Sequence, residues 1–146
     1  MEKKELENAL SVFKEKFGGN FVVGGSLALL QHGFKCEPHD IDLEYEIKES
    51  NKSIEEVFKA LNWAYENTKG KCAAIYPERD KHYRFELQGV IFDVWLVEEI
   101  DYKSWLWKDY IRYADIMSVL RKKKELNRPK DFQDILNYVS QLSNLL

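Results

Sequence analysis

Residues 21–46 read FVVGGSLALLQHGFKCEPHDIDLEYE, and this stretch decides the fold. Phe21-Val22-Val23 is a short apolar run, partly β-branched, and reads as a buried strand. Gly24-Gly25-Ser26 follows at once. Leu27 to His32 are strong helix formers, and Gly33 is a good C-terminal stop. From Asp40 to Ile47 the pattern has period two. Asp40, Asp42, Glu44 and Glu46 fall on one face of a strand, and Ile41, Leu43, Tyr45 and Ile47 on the other. The stretch is thus a strand, a glycine turn, a helix and a second strand with an acidic face.

Upstream, Leu6, Leu10, Phe13 and Phe17 recur at helical spacing within residues 2–17, and Gly18-Gly19-Asn20 ends that helix. Downstream, Ser53-Ile54-Glu55-Glu56 has capping-box spacing and opens a helix bearing Ile54, Val57, Phe58 and Leu61. Residues 73–76 read as a short strand. His82 to Leu87 and Val90 to Val97 read as a hairpin around Gln88-Gly89. Residues 103–112 carry no clear period. Tyr113 to Glu125 reads as a helix, broken at Asn127-Arg128-Pro129, with Pro129 in the first turn of a last helix. That helix carries Phe132, Ile135, Leu136, Val139 and Leu142 as an apolar stripe. The order predicts an α/β (α+β) domain, a central mixed sheet flanked by helices with a helical C-terminal portion.

The 146 residues fit one domain, 1–146, with an α/β core at about 18–98 and a helical part at about 104–146. Hydrophobic residues at 45% supply a core, which argues against disorder. A net charge of −3 lacks the positive excess of a general nucleic-acid binder. The opening MEKKELENAL has no apolar h-region, and no apolar run is long enough to span a membrane. A cytoplasmic protein is expected. Cys36 and Cys72 lack metal or disulfide-framework spacing and read as reduced thiols.

Three features carry chemistry when taken together. Gly24-Gly25-Ser26 lets the backbone approach a ligand closely, and the helix that follows offers unpaired N–H groups that suit phosphate. Such a turn is also an ordinary tight connection. Asp40 and Asp42, at i and i+2 on a strand, point the same way and repel unless a cation or solvent intervenes. Oxygen ligands of this kind suit magnesium. Glu44 and Glu46 extend the same face, as a merely solvated face would. Asp93, inside the apolar run Val90 to Leu96, is costly if buried alone and less so if it lines a cleft, binds a metal or faces water from an edge strand.

The stretch 21–46 resembles the signature of the nucleotidyltransferase superfamily. In that signature, a strand, Gly-Gly or Gly-Ser and a helix precede hydrophobic-Asp-hydrophobic-Asp. A third carboxylate usually comes later, and Asp93 in VIFDVWL fits. The tail ADIMSVLRKKKELNRPKDFQDILNYV is similar to small bacterial members related to abortive-infection toxins and lincosamide-type nucleotidyltransferases. The resemblance implies Mg2+ held by Asp40, Asp42 and Asp93, with Asp93 also activating the acceptor hydroxyl. It implies a nucleoside triphosphate, such as ATP, held by Gly24, Gly25 and Ser26. Lys81, His82 and Arg84 are candidates for its outer phosphates, although charges at the start of a strand are commonly solvated.

The reaction implied is transfer of a nucleoside monophosphate to a hydroxyl on a small molecule, a protein or an RNA, with release of pyrophosphate. Relatives often carry Arg and Thr where Cys36 and Pro38 stand here. The alternative is therefore an impaired binding partner, such as a toxin–antitoxin component. Arg121, Lys122, Lys123, Lys124, Arg128 and Lys130 form a basic run that reads as a solvated face, with RNA contact as the alternative. Lys130 and Asp131 are expected to serve the helix junction. Trp63 and Trp95 read as core. Trp105 and Trp107 are candidates for a cleft border or a partner interface.

Overall fold

The structure is a computed structural model that describes residues 2–47, 59 and 82–145. The expected helix from Ser53, the strand at 73–76, Trp63, Cys72 and Lys81 lie outside the described residues. In chain order the elements are α1 (Lys3–Phe17), β1 (Asn20–Val23), α2 (Gly25–Gln31), β2 (Asp40–Glu46), β3 (His82–Leu87) and β4 (Val90–Val97). β5 (Trp105–Lys108), β6 (Ile111–Ala114), α3 (Ile116–Leu126) and α4 (Pro129–Leu145) follow. No described helix is long and apolar enough to cross a membrane.

Among the described residues, six strands form one mixed sheet in the order β3-β4-β2-β1-β6-β5. β2 pairs antiparallel with β1 and parallel with β4, while β3 returns antiparallel on β4 through the Gln88-Gly89 turn. Gln88 and Gly89 both have positive φ, as a two-residue hairpin requires. β1 runs parallel to β6, and β5 closes the far edge.

Alternation decides which side of the sheet is core. Ile41, Leu43 and Tyr45 are buried on one face of β2. They join an aromatic cluster in which Phe13 of α1 stacks on Phe92 at 5.3 Å and meets Phe21 edge-on at 5.3 Å. Leu6, Leu10, Phe13 and Phe17 are all within 1% of full burial, so the helical spacing of α1 is the spacing of its contact face. The opposite face of β2 carries the acids.

Residues 105–114 differ from expectation. They are a β-hairpin that extends the sheet, and Tyr113 belongs to β6, so the helical portion begins only at Ile116. The hairpin turns at Asp109 (φ 51°) and Tyr110 (φ 65°). Asp109 suits the first position of such a turn, but Tyr110 stands where glycine usually follows it.

Candidate functional site

β2 and β4 lie side by side in parallel with Asp42 opposite Asp93, and β3 places Arg84 opposite Asp93. Register partners share a face, so the three acids seen in the sequence stand on one side of the sheet. Asp93 is on a strand flanked by β3 and β2, which removes the edge-strand reading. It is only 3% exposed.

The glycine turn meets these acids at the end of β1. The Gly24 N–H donates to the Asp42 carbonyl at 2.8 Å. Gly25 has φ +61°, and a Cβ there would stand 2.5 Å from Asp42 Oδ2 and 3.2 Å from Asp42 Cβ. The carboxylate therefore nests against bare backbone, which only glycine permits. Gly24 packs beneath the Tyr102 hydroxyl, so its role in the fold is to admit Tyr102.

A cavity of about 550 Å³ opens over this face. Gly25, Ser26, Asp40, Asp42, Asp93 and Arg84 line its sheet side; Lys122, Lys123, Arg128 and Lys130 line the wall formed by α3 and α4. Four of the six basic residues thus face the cleft, which corrects the expectation of a solvated face. Lys123 explains why. It falls at the apolar spacing of α3, four residues after Val119, and is 8% exposed with its ammonium 3.5 Å from Asp134. A lysine at a core-facing helical position was the available signal. Trp95, expected in the core, is half-buried in the cavity wall and stacks on His82 at 4.0 Å.

The acids differ in their partners. Asp93 accepts from His82 Nε2 at 2.9 Å and pairs with Arg84 at 3.3 Å. Arg84 and His82 therefore stand on Asp93. Glu44 and Glu46, expected to extend a solvated face, are buried instead. Glu44 pairs with Lys122 at 2.7 Å and accepts from the Asp101 N–H; Glu46 accepts from Asn20 and the Ile100 N–H. The carboxyls of Asp40 and Asp42 are shifted up by burial and by neighbouring acids. The Asp42 carboxyl is pushed up to about 7, by burial first and then by Asp40 and Asp93, with Lys123 and Arg128 opposing. Burial and then Asp93 raise Asp40 as well. The Ser26 hydroxyl lies 3.3 Å from the Tyr138 hydroxyl, which ties the turn to α4.

Among the described residues, no group of three or more His, Cys, Asp or Glu side chains forms a ready-made metal cage. Magnesium does not require one. It is commonly bound through one or two carboxylates together with waters and substrate phosphates. Two half-buried carboxylates whose proton affinity is raised by burial and by neighbouring acids are a donor set that a divalent cation would relieve.

The chain is similar along its length to a solved structure from Thermotoga maritima, a provisionally assigned nucleotidyltransferase. The TM-score is 0.61 over 97% of this chain and 96% of that one, at 16% identity. The two chains share a fold. At that identity the likeness establishes architecture and leaves chemistry to the site. No family model and no curated protein sequence matches the chain.

Proposed function

We propose that the chain is a nucleotidyltransferase that moves a nucleoside monophosphate from a triphosphate to a hydroxyl acceptor. One observation carries the reading: Asp40, Asp42 and Asp93 share one face of adjacent strands and open into a cleft whose opposite wall is basic. Asp40 and Asp42 would hold Mg2+, with Asp93 beside them. The ion would neutralise charge on the phosphates and on the leaving pyrophosphate.

The chain's own residues then position the reactants and take up the acceptor's proton. Gly25 lets the Asp42 carboxylate lie against the turn, where it faces the cleft that would take the triphosphate. Lys123, Arg128 and Lys130 offset the charge of the phosphates, since phosphoryl chemistry is largely positioning and electrostatics. The acceptor oxygen attacks the α-phosphorus, the bond to the bridging oxygen breaks, and pyrophosphate leaves. Asp93, oriented by His82, takes the acceptor's proton. The acceptor class remains a hydroxyl on a small molecule, protein or RNA.

The engagement of Asp93 by His82 and Arg84 favours a second reading, a nucleotide-binding partner without turnover, of which a toxin–antitoxin component is one form. Incubation with each α-labelled triphosphate, magnesium and a cell extract separates the two. Label in a product, lost in Asp42→Asn, is expected. Tight triphosphate binding with no product and no pyrophosphate would support the second reading instead.

A further inference from the structure

At the opposite end of β1 from the glycine turn lies a second cavity of about 240 Å³. It is bordered by Lys14, Asn20, Phe21, Trp107, Tyr110 and Arg112, and none of its lining among the described residues is acidic. Two of its walls are exposed aromatic side chains: Trp107 is 61% exposed and Tyr110 is 84% exposed. Two are cations held against those rings. The Arg112 guanidinium sits 4.8 Å from the Trp105 ring centroid and 5.7 Å from that of Trp107. The Lys14 ammonium lies 5.6 Å from the Tyr110 ring and donates to the Tyr110 carbonyl at 2.7 Å.

The turn that displays Tyr110 is a costly one. Asp109 and Tyr110 both occupy the left-handed region, where a bulky aromatic residue is an outlier and glycine is preferred. Outliers of this kind persist where the surrounding structure holds them, and they cluster at ligand-binding positions. Here the Lys14 bond to the turn carbonyl holds one in place and leaves the ring in solvent.

We infer that this cavity binds one nucleotide unit, with its base stacked on Trp107 or Tyr110 and its phosphate against Lys14 and Arg112. Flat rings interleaved with cations are the means by which single-stranded nucleic acids are held without sequence readout. An acidic peptide would satisfy the cations and leave the rings without a flat partner. The cavity is smaller than the roughly 300–1,000 Å³ that encloses a whole small ligand, which suits one unit of a longer strand. The site is separate from the carboxylate cleft and does not rest on the function proposed for it.

The probes are a fluorescein-labelled, mixed-sequence RNA of about twelve nucleotides, followed by anisotropy, and AMP, followed by calorimetry. Both are measured in low salt with EDTA, which disfavours triphosphate-type binding among the cleft acids. The wild type is expected to bind. Trp107→Thr keeps a strand former, and Tyr110→Gly relieves the turn, so both variants are expected to fold. Each is expected to weaken binding about tenfold, the scale of one lost stacking contact. Lys14→Gln is expected to flatten the salt dependence. Tighter binding of the RNA than of AMP identifies a strand as the source, and equal binding identifies a free nucleotide. The inference is overturned if the wild type binds neither, or if both aromatic variants bind as the wild type does. It is also overturned if the variants only dissolve a self-associated form, which would reassign the patch to protein contact.

Discussion

The Asp42 carboxyl, pushed up to about 7 by burial and by two neighbouring carboxylates, costs the fold stability at neutral pH where no cation compensates it. The folded chain keeps a proton there that the unfolded chain releases near pH 4. The resulting stabilisation is fully present below about pH 4 and is lost as pH rises through about 7. Asp40 is shifted in the same direction. In magnesium-free buffer, thermal stability is therefore expected to fall between about pH 5 and pH 8, by on the order of 2 kcal/mol. Asp42→Asn keeps the shape without the charge and is expected to remove most of that fall, as read by melting curves across the range. A wild-type curve that is flat over this window would contradict the electrostatic account. The paired acids were legible in the sequence because period two on a strand leaves them no other arrangement. Their partners were not, because nothing in the local spacing says that Glu44 meets Lys122 and Asp42 meets no lysine as closely.

Among the elements, the turn between α3 and α4 sets the basic wall. Asp131 is fully buried and gathers Arg128 three ways: its backbone N–H at 3.3 Å, Nε at 2.5 Å and Nη2 at 3.0 Å. Arg128 holds the carboxyl below its ordinary range even though burial opposes this. Asp131→Ala is expected to cost about 2–3 kcal/mol by removing charge-assisted bonds from a buried group. The urea midpoint should drop at an unchanged slope. It should also weaken triphosphate binding, since Lys130 and Tyr138 of α4 ride on that turn. An unchanged midpoint would show that the turn is held by packing alone. The Arg-Pro-Lys-Asp junction was readable from its proline and acid. The β5–β6 hairpin was not, because Tyr110 stands where a glycine would complete the signal that Asp109 begins. Its strands are only four residues each, too short to show a period beside the exposed Trp105 and Trp107.

For the molecule as a whole, the candidate site depends on pairings remote in sequence. Asp42 and Asp93 become neighbours only because β2 and β4 run in parallel with β1 and β3 outside them. No periodicity within either strand dictates that. The sequence supplied the elements and, through the resemblance of residues 21–46 to a known signature, the expectation that the acids converge. It did not supply the order of the strands or the second cavity at the sheet's other end. The exposed ring faces there and the acids of the cleft lie at opposite ends of β1, a strand of only four residues.

On the proposed function, Asp40 and Asp42 together collect a magnesium–nucleotide complex. Calorimetric titration of the intact chain with a non-hydrolysable triphosphate, with and without magnesium, tests it most directly. Binding is expected in magnesium, with a loss of at least tenfold in EDTA and a similar loss in Asp40→Asn and Asp42→Asn. Equal affinity with and without the ion, unaffected by either substitution, would contradict it.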